Sequence, residues 1–172
     1  LIKKAFKGHV DLLGPATKVQ EELMGIPSFD TPDYSELFSE EKEMLGKLKK
    51  AFLMVAGGAV QKYGPDLEGH QQLLIAAADI LVEIYMAEST ILRTEKMAKK
   101  DGESNVQEQI AMAKLYLYKA VDVVTQKGKE SVISFAEGDE QRMMLMGLRR
   151  FTKYTNMPNI IGLREMITTK LV

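Results

Sequence analysis

The sequence predicts an all-α protein, an antiparallel up-and-down bundle of about five or six helices. Apolar residues recur every three or four positions along most of the 172 residues, and no segment alternates with a period of two, so helices are favoured over strands. Short connections between these segments favour antiparallel neighbours. The hydrophobic fraction of 45% and the charged fraction of 27% are typical of a globular chain that buries a core.

The first 33 residues are predicted to form a helical leader and linker, and residues 34–172 to form the bundle domain. A short helix is expected over residues 1–7. A second starts at Pro15, a residue favoured in the first turn, and ends at Gly25. Pro27 and Pro32 mark the linker that follows.

The bundle domain is expected to begin with two long helices. The first runs from Ser39 to Tyr63 and ends at Gly64 and Pro65. The second covers residues 67–100 and is apolar on nearly all sides between residues 73 and 87. A helix that is apolar all round is surrounded by neighbours, so we expect this helix at the centre of the bundle.

Three further helices are expected after Gly102. Ser104 and Gln107 form a capping-box pattern for a helix to about residue 127, and Gly128 is predicted to break or kink it before residues 131–136. Asp139 is predicted to cap the next helix, which runs to about residue 153. After a break at residues 156–158, the last helix is expected to extend to residue 172.

Composition excludes several kinds of site. The chain has no Cys, which excludes disulfides, thiolate zinc sites, iron–sulfur clusters and cysteine catalysis. Two His cannot build a His-rich metal centre or support a catalytic triad. A net charge of −1 gives no general attraction to nucleic acid. No signal-peptide pattern and no apolar stretch of the roughly 20 residues needed for a membrane span is found, so we expect a cytoplasmic location.

Three carboxylates lie in the most apolar predicted helix. Asp79 and Glu83 share a face because they are four residues apart, and Glu88 lies further along. Such acids suit acid–base chemistry or a di-metal centre, but a di-iron bundle needs Glu-x-x-His on two helices, and no Glu here has a His three positions on. We therefore predict ion pairs with Lys or Arg of adjacent helices, Lys114 being one candidate.

Gly57 and Gly58 lie within a predicted helix, where each glycine costs about 1 kcal/mol relative to alanine. A phosphate-binding loop would need Gly-x-Gly-x-x-Gly after a strand, and neither feature is present. The pair therefore indicates close approach of another helix.

The segment from Arg142 to Phe151 combines methionines with arginines and is followed by Lys153. Met144, Leu148 and Phe151 form an ordinary core stripe, which is the favoured interpretation. The alternative is a basic amphipathic surface that binds a partner helix or an anionic membrane. Its residues would be Arg142, Met143, Met146, Arg149, Arg150 and Lys153.

Residues 73–124 resemble the antiparallel helix pair in the C-terminal domain of acyl-CoA dehydrogenases. The resemblance rests on Ala77–Ala78–Asp79, Ala87, Arg93, Ala98, Gly102 and Ala111–Met112–Ala113–Lys114–Leu115. The start of the chain, with Leu1–Ile2–Lys3–Lys4–Ala5–Phe6–Lys7–Gly8 and then Val10–Asp11–Leu12–Leu13, resembles the stretch just beyond the catalytic Glu motif. This arrangement is similar to the very-long-chain type and its bacterial relatives, in which a second helical bundle follows the catalytic core.

The resemblance implies that catalysis belongs to a parent enzyme in fatty acid β-oxidation, whose FAD removes two hydrogens from an acyl-CoA thioester. The family's Gly-Gly segment, which helps to hold the flavin, is replaced here by Gln126–Lys127–Gly128–Lys129–Glu130. Nothing matches the family's Tyr-Glu-Gly-Thr-like catalytic motif or its sheet domain. We therefore expect no catalytic, cofactor-binding or metal-binding residue in this chain.

The resemblance thus implies a non-catalytic C-terminal helical domain that serves packing and assembly of the parent enzyme. The catalytic part is the implied partner, with residues 1–33 as the junction to it, and a homodimer is compatible with the sequence. The alternative function is an independent helical adaptor that binds a partner protein or an anionic membrane surface. A carboxylate metalloenzyme is the least favoured hypothesis.

Overall fold

The computed structural model describes residues 13–25 and 34–169, and within these ranges every regular element is helical. The α-helices of the described residues are α1 Leu13–Met24, α2 Ser39–Tyr63, α3 Gln71–Asp101, α4 Gln107–Phe135, α5 Gly138–Phe151 and α6 Ile160–Thr168. Two 3₁₀ turns, Gly64–Gly69 and Glu103–Asn105, join α2 to α3 and α3 to α4. The predicted all-α bundle is confirmed, and the helix predicted over residues 1–7 lies outside the described residues.

Helix α2 lies at the centre of the bundle and contacts α1, α3, α4 and α5. Twelve of its 25 residues are buried, against six of the 31 residues of α3. The prediction that the helix near residues 67–100 is central is therefore wrong. Helix α3 packs on α4 and α2 through one side and keeps much of its apolar surface on the other.

Helix α1 packs against α2 where both helices have small residues. Ala16 and Val19 are buried. A Cβ atom added at Gly57 would come within 2.4 Å of the Ala16 Cβ, so only glycine permits this approach. The linker at residues 26–33 lies outside the described residues, and the division of the chain at residue 33 stays a prediction.

The turn between α2 and α3 delays the start of α3 beyond the predicted residue 67. Gly64 ends α2 with a φ of 52°, a left-handed conformation that glycine adopts readily. Pro65 follows in the first turn of the 3₁₀ segment, where its missing N–H costs nothing. Gln71 is therefore the first residue of α3.

Helix α4 runs unbroken through Gly128, so the predicted break is wrong. A Cβ atom at Gly128 would come within 2.8 Å of the Leu148 side chain, so this glycine allows α5 to pack closely on α4. The predicted capping box is also wrong. Ser104 lies in the preceding 3₁₀ turn, the N-cap residue is Val106, and the Gln107 side chain donates to the Glu103 carbonyl.

Helices α5 and α6 complete the described bundle. Helix α5 begins at Gly138, so Asp139 lies in its first turn and is not its cap. Its charge still suits the positive end of the helix dipole. Helix α6 is capped by Asn159, whose side chain accepts a hydrogen bond from the Gly162 N–H at 3.1 Å, and it packs on α4.

Candidate docking surface

The outward face of α3 carries large apolar side chains that no other described helix covers. We define this outward face by its large residues Ile75, Leu81, Val82, Tyr85, Met86 and Leu92, all of which are exposed. Tyr85 is 67% exposed, Val82 57% and Leu92 54%. Single exposed apolar residues are ordinary, but a contiguous patch marks an interaction surface.

The outward face has a regular spacing along the helix. Ile75, Val82, Tyr85 and Leu92 follow each other at steps of seven, three and seven, and the smaller Ala78 and Ser89 divide the two long steps so that the spacing alternates between three and four. This alternation of three and four is the pattern by which one helix packs against another. At a rise of 1.5 Å per residue the row is roughly 25 Å long.

The opposite side of α3 supplies its part of the core. Ile80, Ile84, Ala87 and Ile91 are almost completely buried against the neighbouring helices. The two sides of α3 are therefore both apolar, although the described helices cover only one of them. This explains why the sequence predicted a central helix: the pattern reports which sides are apolar, and the covering helix need not belong to the same segment of chain.

Three carboxylates of α3 border the outward face, and each pairs with a lysine of a neighbouring helix. The pairs are Asp79 with Lys127 at 3.7 Å, Glu88 with Lys49 at 2.6 Å and Glu95 with Lys42 at 2.6 Å. The bordering charges are thus directed towards α2 and α4. Between Ile75 and Leu92 the centre of the outward face carries no charged side chain, and the exposed Arg93 and Lys96 follow at its C-terminal end.

The predicted carboxylate ion pairs are confirmed for Asp79 and Glu88, but the proposed partner is wrong. Lys114 pairs with Glu41 of α2 at 3.1 Å, because α4 presents this lysine to α2. Glu83 hydrogen-bonds the Tyr116 hydroxyl, and this bond adds to burial in raising the pKa of Tyr116. Among the described residues, no group of three or more His, Asp or Glu is arranged to hold a metal ion.

The predicted close packing at the glycine pair is confirmed. Gly57 faces Ala16 of α1. A Cβ atom at Gly58 would come within 2.7 Å of the Met144 methyl group and 3.0 Å of the Phe135 ring. Both glycines therefore serve helix packing.

Helix α5 divides into a core stripe and a basic surface. Met144, Leu148 and Phe151 are buried, which confirms the core stripe. The basic surface is formed by Arg142, Met143, Met146, Arg149, Arg150 and Lys153; all are exposed except Met143, which is half-buried. Met146 is 73% exposed, and Arg142 pairs with Asp139 at 3.1 Å on the solvent side. Binding of a partner or membrane by the basic surface stays a prediction.

A cleft of about 590 Å³ lies between the start of α3 and the second half of α4. The His70 ring stacks on Tyr63 with ring centroids 3.7 Å apart. The Ser131 hydroxyl donates to the Lys127 carbonyl, and the Ser134 hydroxyl donates to the Ser131 carbonyl. Both hydroxyls are therefore engaged with the backbone, and Lys127, which also lines the cleft, is paired with Asp79 and Glu130.

The segment that replaces the flavin-holding Gly-Gly pair does not fit a flavin. Residues 126–130 lie within α4, so their backbone N–H groups belong to the helix and are not free to bind a pyrophosphate. The Leu148 side chain occupies the space beside Gly128. At this position the backbone N–H groups and the space beside Gly128 are therefore used by packing within the bundle.

In the part of the chain that the structure describes, no helix is both long enough and apolar enough to cross a membrane. Helix α3 is long, but charged residues are spaced along it from Asp79 onward. The outward face is therefore one apolar side of a helix that also carries charged residues.

Comparison with known proteins identifies the family. The family described as acyl-CoA dehydrogenase, C-terminal domain, matches residues 47–150. A probable acyl-CoA dehydrogenase of Bacillus subtilis (strain 168) is 36% identical over 154 residues, which are 90% of this chain and 26% of the relative.

The fold agrees with a solved structure of the same kind of enzyme. An acyl-CoA dehydrogenase from Bacillus anthracis, complexed with FAD, superposes with a TM-score of 0.88 and 37% identity, covering 98% of this chain and 28% of that one. The chain thus spans about a quarter of the length of the relatives it matches. The predicted resemblance is confirmed, and the chain belongs to the family of acyl-CoA dehydrogenase C-terminal domains.

Proposed function

We propose that this chain is a non-catalytic helical domain of an acyl-CoA dehydrogenase and that it serves packing and assembly of the parent enzyme. The outward face of α3 is the observation that carries this proposal, because it is an apolar surface that the described bundle leaves uncovered. The relatives leave room for a catalytic part, since they are about four times as long as the matched region.

In this proposal the chemistry takes place elsewhere in the parent polypeptide. The parent binds FAD and removes two hydrogens from a fatty acyl-CoA thioester in the cytoplasm of a bacterium. Support comes from the two Bacillus relatives, one of which is complexed with FAD. The misfit of residues 126–130 to a flavin supports a site outside this chain. Residues 1–33 would then form the junction to the catalytic part.

The purified chain and the full-length parent polypeptide provide the test. We expect the full-length protein to retain FAD and to reduce an electron acceptor in the presence of acyl-CoA. The chain alone should be helical by circular dichroism but should show neither flavin absorbance nor dehydrogenase activity. Stoichiometric flavin retained by the chain alone would contradict the proposal.

A second candidate function rests on the basic surface of α5. Exposure of Met146 among Arg142, Arg149 and Arg150 is the pattern of a surface that lies on anionic lipid. An adaptor of this kind would bind anionic vesicles, and replacing both Arg149 and Arg150 by Glu would abolish that binding. Equal binding of the wild type and the double variant would remove this candidate.

A further inference from the structure

We propose that the cleft between the start of α3 and the second half of α4 binds a free aromatic amino acid, a ligand with one ammonium group, one carboxylate and one planar ring. The volume of the cleft is about 590 Å³, which lies within the range of about 300–1,000 Å³ typical of small-molecule sites. Binding of a small molecule goes beyond the proposed role of the chain in assembly.

The α4 side of the cleft is a polar stripe, formed by Lys127, Glu130, Ser131 and Ser134. Their positions three, four and seven residues apart place them on one side of the helix. Seven residues before Lys127 and Ser131, the same side of α4 carries Ala120 and Val124, both completely buried in the core. The side of α4 that packs in the core thus becomes polar along the cleft, where its groups are available to a ligand.

The polar stripe carries one charge of each sign. The Lys127 ammonium lies 3.7 Å from Asp79 and 3.8 Å from Glu130, and both distances exceed the roughly 2.7–2.9 Å of a charge-assisted hydrogen bond. Its N–H donors are therefore available to a ligand carboxylate. Since Lys127 and Glu130 both line the cleft and their charges balance, a zwitterion fits this site better than an anion or a cation.

Three oxygen-bearing groups of the polar stripe suit the ammonium group of the ligand. The Ser131 and Ser134 hydroxyls donate to backbone carbonyls at 2.8 and 2.6 Å, so their oxygens are left to accept from a ligand. The Glu130 carboxylate accepts from the Gln126 amide at 3.0 Å and has further lone pairs. An ammonium group has three N–H donors and no acceptor, which matches these three groups.

Tyr63 and His70 provide a place for the ring of the ligand. Their rings stack with centroids 3.7 Å apart, and both residues line the cleft. His70 is exposed, so a ligand ring can extend the stack or pack against its edge. Leu73 and Ala76 of α3 add apolar side chains to the same cleft. An aromatic side chain is therefore favoured over an aliphatic one.

Isothermal titration calorimetry of the full-length protein with L-phenylalanine tests the proposal. We expect saturable binding of one ligand per chain. Three analogues each lack one group: N-acetyl-L-phenylalanine has no ammonium, phenethylamine has no carboxylate, and L-alanine has no ring. Each analogue should bind at least about fivefold more weakly, because a hydrogen bond to a charged group or an aromatic contact contributes on that order.

Two variants locate the binding in the cleft. Lys127→Gln should weaken binding of L-phenylalanine at least about fivefold but should leave the affinity for phenethylamine, which has no carboxylate, unchanged. Glu130→Gln should likewise weaken L-phenylalanine but not N-acetyl-L-phenylalanine. Lys129→Gln is the matched control, because Lys129 is exposed on the same helix and does not line the cleft. The control should bind L-phenylalanine like the wild type.

Three results would overturn the inference. They are no binding of L-phenylalanine by the wild type, equal affinities for L-phenylalanine and all three analogues, and equal affinities of Lys127→Gln and Lys129→Gln. The analogue series uses the wild type alone, so it decides even if a substitution reduces folding. None of these results touches the proposed function, which instead fails if the native polypeptide has no catalytic part; its mass decides that separately.

Discussion

At the scale of single residues, glycines decide how closely the helices approach. A Cβ atom added at Gly57 would lie 2.4 Å from the Ala16 Cβ, whereas a Cβ atom added at Gly46 in the same helix would have no neighbouring atom within 4 Å. The two positions share the helical backbone of α2. They therefore separate the effect of packing from the effect of helix propensity.

We predict that Gly57→Ala destabilises the fold and that Gly46→Ala stabilises it. Alanine at position 57 must displace α1, at a cost of about 1–3 kcal/mol that outweighs the gain of about 1 kcal/mol in helix propensity. Alanine at position 46 meets no neighbouring atom, so it only gains helix propensity, which is worth roughly 0.5–1 kcal/mol. Urea unfolding followed by circular dichroism measures both. Equal stabilisation by the two variants would mean that α1 does not pack at Gly57.

A second residue-scale prediction concerns the hydroxyl of Tyr154. This hydroxyl is buried and has no hydrogen-bond partner in the described part of the chain. Burial, followed by the nearby negative charges of Glu41 and Asp122, raises the pKa of Tyr154 well above its ordinary value of 10.0. The folded state therefore holds the neutral phenol at a pH where the unfolded state ionises.

The difference between the folded-state and unfolded-state pKa of Tyr154 sets the direction in which stability changes with pH. Ionisation of Tyr154 does not affect stability below pH 10, and the fold loses stability as the pH rises from 10 through the raised folded-state pKa of Tyr154. Tyr154→Phe should weaken the loss of stability that sets in as the pH rises above about 10. It should also stabilise the fold near neutral pH, because an unsatisfied buried hydroxyl costs about 1–3 kcal/mol. Urea titrations across this range measure both effects. Tyr85→Phe is the control, since Tyr85 is 67% exposed; an unchanged alkaline profile for Tyr154→Phe would contradict the prediction.

At the scale of elements, α5 shows how one helix divides between core and solvent. Met144 is 2% exposed and Met146 is 73% exposed, although they are two residues apart. We predict that Met144→Ala lowers the free energy of unfolding by about 2–5 kcal/mol, whereas Met146→Ala changes it by less than about 0.5 kcal/mol. Thermal unfolding of the two variants tests this contrast. Similar losses would mean that α5 is rotated from the orientation described.

Most helices could be predicted from the sequence because their signals are local. The bounds of α2 follow from the acidic first turn and from Gly64, and the ion pairs of Asp79 and Glu88 follow from the cost of unpaired charge. The capping box failed because Ser104 entered a 3₁₀ turn that the preceding Gly102 allows, with a φ of 86°. Local patterns do not report such competition between turn and cap.

The candidate site could not be predicted from the sequence, although its residues were noticed. The apolar stretch of α3 placed this helix at the centre of the bundle, whereas Val82 and Tyr85 face outward. Periodicity shows that a side is apolar but does not identify what covers it. Under the proposed function, the excess apolarity of α3 is the sequence signal of an outside partner, and the packing of α2 and α4 on the opposite side makes that signal recognisable.

At the scale of the whole molecule, family membership and uncovered surface lead to one explanation. The chain, which spans about a quarter of the length of its relatives, has its own core, and its described helices leave one face of α3 uncovered. Acid–base catalysis requires side chains that are available to a substrate, whereas the carboxylates Asp79 and Glu88 form ion pairs with lysines. These ion pairs support the proposal that the domain serves assembly of a longer enzyme.

The mass of the native polypeptide tests the central claim most directly. An antibody raised against this chain is used to detect the protein in a lysate of the source cells, and mass spectrometry identifies the peptides of the detected band. We predict a band several times heavier than the 19.3 kDa of this chain, with peptides of a flavin-binding catalytic part. A band at 19.3 kDa alone would contradict the claim that the chain is a domain of a longer dehydrogenase.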